Sequence, residues 1–352
     1  MRVMVTGASG NVGTALLAAL AGDPSVTSVV AVARREPGED HTDPPGAAIR
    51  WVAADVAHDD LREHLDGVDV LVHLAWLFSP QRDPDVTWEA NAVGSARTFA
   101  AAEAAGVGAI VHASSVGAYS PGPGRVVDET WPTHSRPGAA YGREKAYVER
   151  VLDAVDARDS HRRVVRMRPA FTFQRASATE QRRIFAGPFV PRALVVPGRL
   201  PVLPVPRDLR FQALHTDDVA EAYRLAVVGD ARGAFNLAAD PIIDARVLAE
   251  VLETRAVEVP RRVARTGLAA AWLAHLVPTD PNLLDLALDL SELDATRARD
   301  ELGWAPRHTA VDALREAVAA MAAGSGGTTP PLAPDSAAGR AHEIATGVGE
   351  QP

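Results

Sequence analysis

The sequence predicts an α/β protein: a Rossmann-type doubly wound parallel sheet with a smaller, mostly helical C-terminal substrate lobe. Three observations carry that prediction. Strand-like and helix-like stretches alternate through the first half of the chain, as in sheets whose strands are joined by crossover helices. The strand-like runs are nearly continuous in apolar residues instead of alternating, which suits strands covered on both faces. A glycine-rich turn stands between the first strand and the first helix, where phosphate groups sit in such sheets.

The elements follow in order. RVMVT at 2–6 is a short strand and NVGTALLAALA at 11–21 is helical in pattern. SVVAVA at 28–33 is a second strand, and 49–53 a third that runs out towards Asp55. A short helix at 60–66 precedes VDVLVHLA at 68–75, a fourth strand. An alanine-rich helix over 86–105 leads to AIVHASS at 109–115, a fifth strand; a helix over 139–157 leads to VVRMRP at 164–169, a sixth. Beyond Pro169 the pattern weakens, and the prolines of 187–208 rule out one long helix. FQALHTDDVAEAYRLAV then reads as a strand and a helix capped by Asp217 or Asp218, and GAFNLA at 233–238 as a late strand. Stretches 245–253, 265–276 and 310–322 are helical in pattern. The expected organisation is a dinucleotide-binding domain over 1–168 with late strands from about 211–238, and a substrate lobe from 169–210 and 239–322. The aperiodic tail at 323–352 is expected to be disordered. No repeat recurs at a fixed period.

Composition narrows the function. The chain has 352 residues, 47% of them hydrophobic and 23% charged, enough to bury a sizeable core. It has no cysteine, so thiol catalysis, iron–sulfur clusters and disulfide frameworks are excluded. A net charge of −9 argues against a nucleic-acid partner. No run of about 18 apolar residues suggests a membrane span, and MRVMVTGASG does not read as a signal peptide, so the cytoplasm is the expected compartment. The partners expected are a small-molecule substrate and, at most, a second copy in a homodimer.

Thr6-Gly7-Ala8-Ser9-Gly10-Asn11-Val12-Gly13 is the glycine turn. Gly7 permits the tight bend, Gly10 leaves room for a pyrophosphate and Gly13 lets the helix pack closely. The helix N-terminus then offers free amides and the positive end of its dipole. The acidic residue that meets the adenosine ribose in NAD-binding chains falls about 20 residues on. That count reaches Ala33, followed by Arg34 and Arg35. Two guanidinium groups in place of an acid favour a 2′-phosphate, hence NADP over NAD, although two solvated loop arginines would look the same.

Tyr141 and Lys145 stand four apart on a predicted helix and share a face. A free tyrosine titrates near 10, and an adjacent ammonium favours its phenolate and draws it towards neutral pH. Ser115, at the carboxyl end of the fifth strand, is placed to hydrogen-bond a substrate oxygen. Lone Tyr-x-x-x-Lys pairs are common by chance, so the serine matters.

With these residues in hand, the sequence resembles the extended short-chain dehydrogenase/reductase family, the NAD-dependent epimerase/dehydratase group. The resemblance spans residues 1–320 and rests on TGASGNVG at 6–13, HLAW at 73–76, Asn91 in NAVGS, ASSVGAY at 113–119, YGREK at 141–145, RMRP at 166–169 and HTDDVA at 215–220. It implies that Ser115, Tyr141 and Lys145 are catalytic, with Asn91 holding a water in a proton relay. It further implies that Asp55 and Val56 flank the adenine, that Leu74 and Ala75 line the cofactor and that Pro169 lies by the nicotinamide.

An NAD(P)-dependent carbonyl reductase is the favoured function. A nucleotide-sugar epimerase and a non-enzymatic NADP-binding regulator are the alternatives. Ser115 is followed by Val116 and Gly117, without the acidic pair that family dehydratases place there. Arg210 lies near the place of the substrate-diphosphate arginine of family epimerases, but RFQALHT is spaced one residue differently. His73 and His215 read as structural, and the His41 and His58 clusters as solvated loops with no metal bound. Trp76, Phe78, Trp131 and Trp272 are candidates for a pocket wall.

Overall fold

A computed structural model describes residues 1–78 and 82–348. The first half alternates as expected: β1 (Arg2–Thr6), α1 (Asn11–Ala21), β2 (Ser28–Ala33), β3 (Ala48–Ala53), β4 (Val70–His73), α2 (Pro84–Trp88), α3 (Gly94–Ala104), β5 (Ala109–Ala113), β6 (Val126–Val127), α4 (Ala140–Arg158) and β7 (Arg163–Pro169). There follow β8 (Phe171–Phe173), α5 (Ala178–Phe185), β9 (Val202–Pro206), β10 (Phe211–His215), α6 (Thr216–Val228), β11 (Gly233–Leu237), β12 (Ala239–Ile243), α7 (Ala245–Val251) and β13 (Arg255–Val259). The chain continues through α8 (Arg261–Leu273), α9 (Pro281–Leu288), β14 (Glu292–Leu293), α10 (Thr296–Leu302), α11 (Ala310–Ala323) and α12 (Ala337–Ala345).

Seven strands form one parallel sheet in the order β11-β7-β5-β4-β1-β2-β3. The order reverses between β1 and β4, which opens a crevice beyond their carboxyl ends. Val3, Val5, Val72 and Val111 bury one face against α1 and α6, while Met4, Leu71 and Ile110 bury the other against α3 and α4. This two-sided burial is why these strands read as continuous apolar runs.

Several expectations change in detail. The late strands divide: β11 joins the main sheet, but β10 pairs with β8 and β12 in a separate three-stranded sheet of the smaller lobe. The expected cap of α6 is replaced by His215, whose ring accepts from the Asp217 amide at 3.2 Å. Asp218 turns inward, where it accepts from the amides of Arg307 and His308, both at 3.0 Å. The fifth strand stops at Ala113, and Ser115 starts a 3₁₀ turn instead of ending the strand. The expected helix at 86–105 is interrupted by a π-helical turn, Glu89–Val93, between α2 and α3.

The tail differs most. Residues 324–348 dock on the smaller lobe, while 349–352 lie outside the described residues. Arg182 of α5 pairs with Glu343 of α12 at 2.6 Å and lies 3.5 Å from Asp335, with all three side chains buried. Thr179 donates to the Ser325 carbonyl at 2.6 Å, and Thr329 donates to the Ser9 carbonyl of the glycine turn at 2.7 Å. The expectation of disorder rested on low apolar content, whereas docking here rests on buried ion pairs and backbone hydrogen bonds, which hydropathy does not register.

Candidate active site

The glycine turn has the expected build. Gly7 has φ +70°, and a Cβ there would stand 2.6 Å from the Ala75 amide nitrogen. A Cβ on Gly13 would stand 2.3 Å from the Gly7 carbonyl oxygen. Packing within the protein therefore accounts for both glycines. At Gly10 it does not, because a Cβ would meet only the Gly7 oxygen at 3.4 Å. The room beside Gly10 faces a helix that starts with no side-chain cap and no acid in its first turn. Uncapped amides beside open space fit a dinucleotide pyrophosphate. Asn11 is otherwise engaged: it donates to the Thr172 carbonyl at 3.3 Å and accepts from Gln174 and Thr216. It ties the turn to the smaller lobe, while Val12 packs on the core beneath.

The other expected cofactor residues lie along the same edge. Arg34 and Arg35 are exposed immediately after β2. Asp55 and Val56 follow β3, where Asp55 accepts from the Ala57 amide at 2.9 Å. Leu74 and Ala75 follow β4, their amides donating to the backbone oxygen and hydroxyl of Thr6. Pro169 is the last residue of β7. Beneath this edge His73 bridges Thr6 at 2.8 Å and Ser95 at 2.9 Å, and burial pushes its imidazole down to about 3, so it is a neutral clamp.

Ser115, Tyr141 and Lys145 come together where β5 faces α4. Ser115 accepts from the Gly117 amide at 3.0 Å, and its hydroxyl is close enough to the Tyr141 phenol to favour the phenolate. Desolvation pushes the Tyr141 phenol up to about 12, and the Ser115 hydroxyl opposes the rise. Lys145 donates to the Ala113 carbonyl at 2.6 Å, and its ammonium lies 5.9 Å from the Tyr141 ring centre. Burial drives the Lys145 amine well below its usual range, with Glu144 and Glu149 opposing.

Asn91 lies in the π-helical turn and is buried. Its amide nitrogen donates to Glu144 at 2.7 Å and to the Leu77 carbonyl at 3.0 Å, and its oxygen accepts from the Leu77 amide at 2.6 Å. These bonds leave one oxygen lone pair for a water. The four aromatic candidates separate. Phe78 lies 4.7 Å and Trp76 6.1 Å from the Tyr141 ring, centre to centre. Trp131 instead donates to the Ser120 carbonyl at 3.1 Å, and Trp272 stacks under Arg82. Sequence reasoning passed over Phe185 of α5, which lies 5.9 Å from Phe78 and extends the aromatic wall. It also passed over a signal in the composition: Lys145 is the one lysine among 36 lysines and arginines. Where the chain uses arginine everywhere else, the residue beside Tyr141 is an amine, compact and able to shift its titration.

The glycine turn at a sheet switch point and the Tyr–Lys pair on α4 coincide with a match to the model of the NAD dependent epimerase/dehydratase family over residues 3–238. The chain belongs to that family. Among its relatives, 4-hydroxy-2-methyl-3-oxo-4-farnesyl-3,4-dihydroquinoline-1-oxide ketoreductase from Stigmatella aurantiaca is 29% identical over 346 residues, covering 90% of this chain and 96% of the relative. UDP-glucose 4-epimerase from Mycolicibacterium smegmatis is 28% identical over 332 residues, covering 90% and 97%. A dTDP-glucose 4,6-dehydratase from Streptomyces venezuelae with NAD bound shares the fold at TM-score 0.64 and 21% identity, covering 91% of this chain and 96% of that one. The chain is thus an enzyme of a nicotinamide-dependent oxidoreductase and epimerase group. Among the described residues, no helix is long and apolar enough to cross a membrane.

Proposed function

We propose that this enzyme is a carbonyl reductase for an apolar, uncharged carbonyl compound, with NADP(H) preferred to NAD(H). The observation that carries the reading is the wall beside Tyr141. Phe78 and Trp76 flank the phenol, and Phe185 continues the surface from α5. Such a wall favours an apolar body around the reacting carbonyl. Arg210, near the place of the substrate-diphosphate arginine of family epimerases, is paired with a carboxylate: its Nε and Nη2 donate to Glu292 at 3.0 and 2.8 Å. The ketoreductase named above acts on a farnesyl-bearing quinoline oxide and aligns along nearly its whole length, which supports the same reading.

Held by the glycine turn, Leu74, Ala75 and Pro169 along the sheet edge, a nicotinamide would supply the hydride. Tyr141 gives its proton to the developing alkoxide, Ser115 orients the carbonyl oxygen, and Lys145 places positive charge behind the phenol. Asn91 assists a proton relay through its remaining lone pair. Arg34 and Arg35, at the end of a second strand with no acid there, favour the 2′-phosphate.

The test is the stoichiometry of cofactor use with aryl and polyprenyl ketones, run with NADPH and with NADH. One NADPH consumed per alcohol formed, with NADPH bound at least about tenfold more tightly than NADH, supports the proposal. Interconversion of UDP-glucose and UDP-galactose with no net cofactor consumption overturns it in favour of an epimerase.

A further inference from the structure

We propose that Trp76 is a positioning residue for Lys145: its indole face and the Ala113 carbonyl together hold the ammonium beside Tyr141. The inference rests on Tyr141 and Lys145 being the proton-handling pair. The Lys145 ammonium lies 3.3 Å from the Trp76 ring centre, close contact for a cation over an aromatic face. Lys145 is buried, at 3% exposure, and among the described residues no carboxylate lies within ion-pair distance of it. The nearby acids are turned to other partners: Glu144 accepts from Thr87 at 2.6 Å and Asn91 at 2.7 Å, and Glu149 from Ser114 at 2.6 Å and Arg168 at 2.8 Å. A buried cation without a paired anion needs another source of negative potential. The face of an indole, the most electron-rich of the aromatic side chains, supplies it.

The backbone around Trp76 is fastened accordingly. Asn91 grips both backbone groups of Leu77, the next residue, and is bound in turn to Glu144, the residue before Lys145. Loop and helix are thereby locked in register, with Trp76 against Lys145 on one side and edge-on to Tyr141 on the other. Other titratable groups packed around the amine are Tyr141, Glu144 and Glu149 on α4, His73 on β4 and His112 on β5, with Arg166 on β7 beyond. Burial keeps both imidazoles neutral through the neutral range, so neither competes with the amine for its proton there.

The lone lysine makes the test direct. Protein grown on lysine carrying ¹³C at Cε gives a single side-chain signal from the intact chain. In the native protein the Cε methylene protons are expected upfield of ordinary lysine, shifted by the indole ring current. Trp76→Leu should abolish that displacement and lower the ionisation midpoint of Lys145 by about one pH unit, a tenfold change in protonation, with Trp76→Phe in between. Should Trp76→Leu not fold, the native and Phe proteins still give two points on the series. A native signal at the ordinary lysine position, or a midpoint shared by the native and Phe proteins, overturns the proposal. No substrate enters the measurement, so its failure is distinguishable from failure of the reductase reading.

Discussion

At the scale of single residues, charge is controlled here by burial more than by ion pairing. Tyr141, His73 and Lys145 are each moved by desolvation first, with neighbouring charges and the Ser115 hydroxyl as smaller contributions. Glu180 of α5 shows the same control away from Tyr141 and Lys145. Desolvation raises its carboxyl from 4.5 to about 7, and Arg183 only partly opposes this. Folding therefore takes up a proton at Glu180 between those values, so its contribution favours the fold at low pH and is lost as pH rises through about 7. Glu180→Gln should accordingly gain melting temperature over the native protein at pH 8 but not at pH 5. An equal difference at both pH values would show that the carboxyl is ionised in the fold. The clustering of the candidate residues was legible in the sequence, because Gly7, Gly10 and Gly13 follow β1, Ser115 follows β5, and Tyr141 and Lys145 are four apart on α4. Phe185 was not, since nothing local distinguishes it; only the path of α5 across the crevice brings it to Phe78.

Among the elements, β1, α1 and β2 have the bounds their apolar runs suggest, since a strand buried on both faces leaves a continuous signature. The smaller lobe was less legible. Its short strands β8, β10 and β12 pair across long sequence separations, which no local pattern encodes. The docked tail was missed for a different reason: Arg182, Asp335 and Glu343 look like solvated charges until α12 folds back onto α5. Breaking a buried pair by removing one partner costs about 3 kcal/mol. Truncation after Ala323 strands Arg182, and should lower the melting temperature by at least about 5 °C. Glu343→Gln alone should reproduce much of that loss. Unchanged melting in both variants would mean that the tail is not held in solution.

For the whole molecule, the sheet order reverses between β1 and β4, the glycine turn follows β1, and α4 carries Tyr141 beside Trp76 and Phe78. The family assignment fixes the class of chemistry, and the proposal of net reduction of an apolar carbonyl rests on the aromatic wall and on the pairing of Arg210 with Glu292. The proposed reduction passes through the Tyr141 hydroxyl. The most direct measurement is turnover of Tyr141→Phe with NADPH and a ketone that the native enzyme reduces, alongside NADPH affinity and melting temperature. Turnover should fall by at least about a hundredfold, the scale of a lost general acid, with affinity and melting nearly unchanged. Near-native turnover in a folded, cofactor-binding Tyr141→Phe protein would contradict the proposal.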